Sequence, residues 1–83
     1  MEKSLITWTL KNDCLYKKFT FNNYIDTITF VNKIAKYSEK INHHPKLIIE
    51  YNTVEVYLKN HELNKITKQD ILSARKYDQY YSK

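Results

Sequence analysis

The sequence predicts an α+β fold, a two-layer sandwich in which helices pack on one face of a four-stranded antiparallel sheet, with the elements in the order ββαββα. Two pairs of short runs rich in β-branched and aromatic residues are each joined by a turn, and a segment with helical spacing of apolar residues follows each pair. The chain has 83 residues, and domains usually hold roughly 50 to 200. We therefore expect residues 1–83 to form a single domain.

The first pair of strands is predicted at Leu5–Leu10 and Leu15–Phe21, on either side of a turn at residues 11–13. Asparagine and aspartate suit this turn because they tolerate backbone conformations for which glycine is otherwise used. Side chains alternate between the two faces of a strand, so Phe19 and Phe21 lie on the same face. That face is expected to be the core.

The apolar spacing becomes helical between Tyr24 and Asn42. The residues expected on the buried side of this helix are Tyr24, Ile28, Val31, Ile34 or Ala35, Ser38 and Ile41. Pro45 cannot continue a helix, and it keeps His44 out of the helical region of backbone space. The segment 42–45 is therefore predicted to be the helix exit.

A second hairpin is predicted from Leu47–Tyr51 and Thr53–Leu58, joined at Asn52. The inward-facing residues of its second strand are Val54, Val56 and Leu58. Thr67, followed three residues later by Asp70, resembles a capping box and marks the start of the last helix. The residues with helical spacing in that helix are Ile71, Ala74, Tyr77 and Tyr81.

Glycine is absent from the chain, and this excludes whole classes of nucleotide site. Glycine-rich phosphate loops need residues that accept positive φ and the close approach of a phosphate. Without glycine, the turns must be formed by other residues, and asparagine is the best substitute. The asparagines expected to form turns are Asn12, Asn52, Asn60 and Asn64.

The single cysteine, Cys14, cannot form an internal disulfide, which favours a reducing, cytoplasmic location. The N-terminus lacks the apolar stretch of a secretory signal, and no run of about 18 apolar residues could span a membrane. The net charge is +5, but the lysines are scattered along the chain. A solvated surface is therefore favoured over binding to nucleic acid.

All three histidines lie at the ends of predicted elements, where catalytic groups commonly sit. His43 and His44 follow the first helix, and His61 follows the fourth strand. Glu39 would share a helical face with His43 if the last turn continues, so that its carboxylate could charge or orient the ring. The alternatives are a helix-capping role and a zinc site. Adjacent residues in extended backbone point in opposite directions, so His43 and His44 would rarely bind one ion, and no metal is expected.

Seven residues form a spaced pattern along the chain: Glu39, His43, His44, Pro45, Tyr51, His61 and Asp70. This pattern resembles the signature of the pterin-4a-carbinolamine dehydratases, the family also known as the dimerisation cofactor of a hepatocyte nuclear transcription factor. Flanking features agree, among them Trp8 and the aromatic run at residues 19–21. The resemblance covers nearly the whole chain, although the family's N-terminal helix, which usually precedes Trp8, is absent from this sequence.

The resemblance implies an enzyme that dehydrates 4a-hydroxytetrahydrobiopterin to quinonoid dihydrobiopterin, with no cofactor, in the recycling of tetrahydrobiopterin. It implies that His43 and His61 are the catalytic acid and base, in an order that the sequence leaves open. His44 would hold the pterin within the catalytic group of histidines, and Glu39 would orient or charge them.

Two further residues are assigned to substrate binding or orientation. Pro45 would fix the turn that carries two of the histidines. Asn60 precedes His61 at a position where small hydroxyl residues are common in the family. Asp70, in the first turn of the last helix, fits a helix cap as well as a site residue.

The resemblance also implies self-association into a homodimer or homotetramer, and a transcription factor or a hydroxylase as a further partner. Exposed sheet edges in so small a sandwich invite pairing with a second copy. The alternative function is a non-catalytic dimerisation, coactivator or assembly module on the same scaffold. The three histidines favour the enzyme, because a scaffold has no need for them. Neither a membrane nor a nucleic-acid partner is expected.

Overall fold

The computed structural model describes residues 7–82. Its strands are β1 (Thr9–Lys11), β2 (Cys14–Thr20), β3 (Lys46–Glu50) and β4 (Thr53–Leu58), and its helices are α1 (Tyr24–Ile41) and α2 (Lys68–Tyr81). This confirms the predicted order ββαββα. Within residues 7–82, no helix combines the length and the apolar character needed to cross a membrane.

The four strands form one antiparallel sheet in the order β1-β2-β4-β3, so β1 and β3 are its edges. The turn between β1 and β2 holds Asn12 and Asp13 at φ values of 54° and 62°, which is the geometry of a tight hairpin. The prediction of a strand from Leu5 to Leu10 is wrong in its bounds, because β1 begins at Thr9. Residues 5 and 6 lie outside the described part of the chain.

Both helices pack on the same face of the sheet, and the core lies between the two layers. The buried apolar residues are Trp8, Phe19, Phe30, Ile34, Val54, Val56, Leu58, Ala74 and Tyr77. The predicted inward set of β4, Val54, Val56 and Leu58, is confirmed. Phe19 packs against both Trp8 and Phe30, and it links the sheet to α1.

The buried side of α1 agrees with the predicted one at Ile34 and Ser38 and differs elsewhere. It consists of Thr27, Phe30, Ile34 and Ser38, whereas Tyr24 is 54% exposed. Thr27 can be buried because its hydroxyl donates to the carbonyl of Asn23 and reaches that of Tyr51. Hydrophobic spacing alone does not detect a polar residue whose hydrogen bonds are made inside the protein.

Of the residues with helical spacing in α2, Ala74 and Tyr77 are buried, whereas Ile71 and Tyr81 are 38% and 41% exposed. Asp78, which the spacing did not indicate, is also buried. The carboxylate of Asp78 accepts from the indole N–H of Trp8 at 2.8 Å and from the ammonium of Lys17 at 2.8 Å. These two donors compensate for the removal of the charge from water. Together they fix α2 to β2 and to the residue that precedes β1.

Candidate active site

The chain turns sharply where α1 ends. Asn42 adopts the left-handed conformation, with φ 54° and ψ 45°, and its N–H donates to the carbonyl of Ser38. The N–H of His43 donates to the same carbonyl at 3.1 Å. This is the usual way for a helix to end on a left-handed residue, with asparagine in the place of glycine. The helix exit predicted at residues 42–45 is confirmed.

The turn directs His43 away from its own helix and onto the start of α2. Its Nε2 lies 2.5 Å from Oδ1 of Asp70, a carboxylate that is completely buried. Only about a tenth of the His43 side chain is exposed, at 11%. His43 is therefore held by a buried acid that comes from another helix.

Asp70 is itself fixed by the first turn of α2. Its Oδ2 accepts from the backbone N–H of Thr67 at 2.8 Å and from the Thr67 hydroxyl at 3.2 Å. These bonds complete the predicted capping box with aspartate in the place of glutamate. A negative charge in the first turn of a helix is also favoured by the helix dipole. Oδ2 of Asp70 thus caps α2, and Oδ1 holds the His43 ring.

Glu39 pairs with His44 and not with His43. Its Oε2 lies 2.6 Å from Nε2 of His44, and the side chains are 78% and 52% exposed respectively. The expectation that Glu39 shares a helical face with His43 is wrong, because the left-handed conformation of Asn42 ends the helix before His43. In water such an exposed pair orients the ring but contributes little to stability.

His61 lies in the loop after β4 and is exposed. Its ring makes no hydrogen bond to any residue within 7–82 that the structure records. Asn60 fixes this loop: its N–H donates to the carbonyl of Lys65 at 2.9 Å, and its side-chain oxygen accepts from the N–H of Leu63 at 2.8 Å. Asn64 closes the loop at a φ of 54°.

An open groove of about 380 Å³ lies between the end of α1, the loop after β4 and the start of α2. The residues that line it are Asn42, His43, His44, Lys59, Asn60, His61, Glu62 and Gln69. All three histidines therefore meet at one groove. Glu39 and Pro45 are not among the lining residues. Glu39 acts on the groove only through His44, and Pro45 lies at the turn that leads into β3.

The contacts with the carboxylates show which ring nitrogen of His43 and of His44 is left for a ligand. An ionised carboxylate only accepts hydrogen bonds, so a contact with Asp70 or Glu39 in that form is made by the tautomer of His43 or His44 whose proton is on Nε2. The nitrogen left for a ligand is Nδ1 in each ring. Both nitrogens of His61 are available. The groove can therefore supply both proton donors and proton acceptors.

Tyr77 lies behind the site, with its hydroxyl 3.4 Å from that of Ser38. Burial raises the pKa of Tyr77 to about 12. The phenol consequently remains neutral and protonated near neutral pH, and the histidines are the groups suited to proton transfer there.

A second open cavity, of about 460 Å³, lies at the opposite ends of the two helices. Its lining includes Phe21, Phe30, Tyr81, Lys33 and Asp26, and it contains no histidine. Within residues 7–82, no group of three or more histidine, cysteine, aspartate or glutamate side chains is arranged to hold a metal ion. The histidine groove is therefore the better candidate for acid and base chemistry.

Sequence reasoning did not assign four of the lining residues to the site, namely Asn42, Lys59, Glu62 and Gln69. The Gln69 amide donates to the carbonyl of Ile41 at 3.4 Å and so ties the start of α2 to the end of α1. No local sequence signal indicates this contact. By contrast, the capping-box pattern did place Asp70 in the first turn of α2, and it could have indicated a carboxylate near the histidines.

One member of the spaced pattern lies away from the groove. Tyr51 is in the turn after β3, at the opposite end of that strand from His44, and it is 66% exposed. Its carbonyl is reached by the Thr27 hydroxyl at 3.3 Å, which anchors the turn to α1. Within one copy of the chain, Tyr51 is not part of the site.

Known proteins resemble this chain over most of its length. Residues 1–80 match the family model described as pterin 4 alpha carbinolamine dehydratase. A presumed pterin-4-alpha-carbinolamine dehydratase of Thermomicrobium roseum is 39% identical over 69 residues, which are 83% of this chain and 74% of that protein. One of Sulfurisphaera tokodaii, described in the same way, is 36% identical over 72 residues, 87% of this chain and 77% of that protein.

Two solved structures share the fold. A transcriptional coactivator/pterin dehydratase from Brucella melitensis superposes with a TM-score of 0.90 at 31% identity, covering 95% of this chain and 86% of that one. A pterin dehydratase-like protein identified as a RuBisCO assembly factor in the alpha-carboxysome gives a TM-score of 0.74 at 24% identity, covering 89% and 86%. The second likeness concerns the fold alone.

Proposed function

Because the chain belongs to the pterin-4a-carbinolamine dehydratase family, we propose that it is a lyase that eliminates water from 4a-hydroxytetrahydrobiopterin to form quinonoid dihydrobiopterin. The observation that carries the proposal is the meeting of three histidines at one open groove, with carboxylates holding two of them. Two of the three rings are largely exposed, so packing of the core does not account for them.

The chemistry of the reaction suits these groups. Loss of the 4a hydroxyl requires an acid that protonates the departing oxygen and a base that accepts a proton from a ring nitrogen. Histidine can do either near neutral pH, and each well-placed acid or base typically contributes about 10² to 10⁴ in rate. Neither step needs a nucleotide or a covalent intermediate with the protein.

In this proposal His43 and His61 form the acid and base pair, and His44 holds the pterin. Asp70 fixes the His43 ring, so that its Nδ1 faces the substrate, while Glu39 orients His44. Asn60 shapes the loop that carries His61, and it can offer its side-chain N–H₂ to the substrate, since its oxygen is already bonded to Leu63. Pro45 fixes the turn before β3.

The dimensions of the groove are compatible with a bicyclic pterin. Its volume of about 380 Å³ lies at the lower end of the usual range for small-molecule sites, roughly 300 to 1,000 Å³. It is open on one side, which lets the pterin arrive from and return to another enzyme. We place the reaction in the cytoplasm and in the recycling of tetrahydrobiopterin, a placement supported by the single cysteine and by the family.

A stopped-flow assay tests the proposal. The substrate, a chemically generated 4a-hydroxytetrahydropterin, dehydrates slowly on its own, so catalysis is measured as acceleration over that background. We expect His61→Ala to lose about 10² to 10⁴ of the acceleration, and a His43→Ala/His61→Ala double variant to approach the background. His61 is exposed, so its replacement should leave the stability of the fold unchanged.

The matched control is Leu63→Ala in the same loop, where a side chain that does not line the groove is truncated. Its turnover should equal that of the wild type. If His61→Ala and the double variant also turn over at the wild-type rate, the assignment of the histidines fails. If the wild type itself shows no acceleration, the dehydratase activity is refuted.

A second candidate function has a specific observation in its favour. The solved structure at 31% identity is described as both a coactivator and a pterin dehydratase. The same scaffold could therefore act here as a dimerisation, coactivator or assembly module, with a transcription factor or a hydroxylase as partner. Such a role predicts that the double histidine variant still binds its partner. An enzyme without that role predicts loss of turnover and no partner in a pull-down.

A further inference from the structure

The cavity at the ends of the two helices remote from the histidines has the features of a second binding site. Its volume is about 460 Å³, which lies within the usual range for small-molecule sites, roughly 300 to 1,000 Å³. The start of α1 and the end of α2 both contribute to its lining. No histidine lines it, so a ligand here is held by other chemistry.

Part of the lining is an aromatic cluster. The ring centres of Phe21 and Tyr81 are 5.3 Å apart, and that of Phe30 lies 5.1 Å from the first and 6.0 Å from the second. Phe30 is buried, whereas Phe21 is partly exposed and Tyr81 is 41% exposed. Some of this aromatic surface is therefore open to a ligand.

Hydrogen bonds hold the aromatic cluster in place. The Tyr81 hydroxyl donates to the carbonyl of Thr20 at 2.8 Å, and the N–H of Phe21 donates to the carbonyl of Asn52 at 2.8 Å. A surface that is fixed in advance loses little side-chain entropy when a ligand binds. Aromatic pairs also gain attraction beyond the burial of area. The cluster is thus suited to a flat ring.

Along α1 the cavity is lined by one acid and one base. Asp26 and Lys33 lie on the same face of the helix, about two turns apart, which is roughly 10.5 Å along the axis. Lys33 is partly buried. Across residues 7–82, neither side chain takes part in a salt bridge. The cavity therefore offers two opposite charges that the protein itself does not neutralise.

A zwitterion is complementary to these two charges. An ammonium group bonded to Asp26 and a carboxylate bonded to Lys33 require that the two side-chain charges be separated by two hydrogen bonds and the width of the zwitterion, about 8 Å. The spacing of two helical turns allows this separation. Either charge alone would favour a simple ion of opposite sign, whereas both together favour a molecule that carries both.

We propose that this cavity binds a free α-amino acid with an aromatic side chain. The ring packs on Phe21 and Tyr81, the α-ammonium pairs with Asp26, and the α-carboxylate pairs with Lys33. Helix α1 rises about 22 Å between Asp26 and its end at Ile41, so this ligand does not compete with one in the histidine groove. The inference does not rest on the proposed dehydratase activity.

An NMR titration of the ¹⁵N-labelled full chain with L-phenylalanine as the probe tests the proposal. We expect saturable shifts of the amide signals of Asn22, Asp26 and Lys33. The dissociation constant should be about 0.1 to 1 mM, which is usual for so small a ligand in a preformed site. The amide signals of His43 and His61 should not move.

Analogues of the probe separate the three contacts. Phenethylamine lacks the carboxylate, 3-phenylpropionate lacks the ammonium, and L-alanine lacks the ring. Because each analogue leaves one part of the cavity without its partner, we expect each to bind about 10-fold or more weakly than L-phenylalanine.

Two variants remove the charges of the cavity one at a time. Lys33→Met should raise the dissociation constant of L-phenylalanine about 10-fold and leave that of phenethylamine unchanged. Asp26→Asn should do the same for L-phenylalanine and leave that of 3-phenylpropionate unchanged. The matched control is Lys36→Met on the same helix, which does not line the cavity and should keep the wild-type affinity. Circular dichroism checks that each variant is folded.

Four results would each overturn the proposal. The first is the absence of saturable shifts up to about 10 mM L-phenylalanine. The second is a set of shifts confined to the histidine groove. The third is an analogue without the ammonium or without the carboxylate that binds as tightly as L-phenylalanine. The fourth is a folded Lys33→Met variant that keeps the wild-type affinity, or that loses no more of it than Lys36→Met does.

Discussion

Replacing Asp70 with asparagine removes the negative charge that faces the His43 ring but keeps a carbonyl oxygen for the N–H of Thr67. In the wild type the carboxylate is completely buried and bonds to both residues. The substitution therefore isolates the contact with His43 from the capping of α2. Asp70→Ala removes both contacts.

The expected loss in the free energy of unfolding follows from these hydrogen bonds. A hydrogen bond that involves a charged group contributes about 1.5 to 3 kcal/mol, so Asp70→Asn should lower the free energy of unfolding by about that amount. The capping contact adds about 1 kcal/mol, so Asp70→Ala should cost about 2.5 to 4 kcal/mol. The matched comparison is Glu39→Ala. Its pair with His44 is exposed on both sides, and such pairs contribute about 0 to 1 kcal/mol.

Urea unfolding followed by tryptophan fluorescence measures these differences. Trp8 is the only tryptophan, it is buried, and its indole N–H is bonded to Asp78, so unfolding changes its environment. With a denaturant slope of about 1 kcal/mol per molar urea for a small domain, Asp70→Asn should lower the midpoint by about 1.5 to 3 M. The Glu39→Ala midpoint should stay within about 1 M of the wild type.

Two results would refute the reasoning. The first is an Asp70→Asn variant whose stability equals that of the wild type, since the buried ionic contact with His43 would then contribute nothing. The second is a Glu39→Ala variant as unstable as Asp70→Asn, since burial would then not decide the strength of the pair.

Three further predictions concern the backbone, a buried ion pair and pH. Asn42→Ala should cost about 1 to 2 kcal/mol, because alanine tolerates the left-handed conformation poorly, whereas Asn42→Gly should be nearly neutral in the same urea titration. Lys17→Met leaves the buried carboxylate of Asp78 without its cation and should cost about 3 to 5 kcal/mol; adding Asp78→Asn should recover part of that loss. Burial raises the pKa of Tyr77 to about 12 from an unfolded value of 10, so the unfolded chain loses this proton first. The wild type should therefore lose about 2 to 3 kcal/mol between pH 10 and pH 12, and Tyr77→Phe should lose less over that window.

The order of the elements and the grouping of the histidines could be predicted because each depends on local signals. β-branched runs, helical spacing and Pro45 define the elements, and their ends carry His43, His44 and His61. What could not be predicted is which acid holds which ring. That depends on a single backbone conformation at Asn42, which sends His43 to Asp70 and returns His44 to Glu39.

The turns show the same division between local and tertiary causes. Asn12 and Asn64 adopt positive φ, as expected in a chain without glycine, but so does Asn42, which was not among the asparagines expected to form turns. Asn60 shapes its loop through a side-chain hydrogen bond, and Asn52 needs no positive φ. Composition indicates that asparagine replaces glycine. It does not say whether a given asparagine forms its turn through a positive φ or through a side-chain hydrogen bond.

Asp70 joins the first turn of α2 and the His43 ring in a single cooperative unit. The amide of Ile71 donates to the carbonyl of Thr67 in that turn, and we expect fraying of the turn to loosen the hold of Asp70 on His43. Since thermodynamic coupling is reciprocal, a ligand that binds only the organised His43 also slows hydrogen exchange at the start of α2.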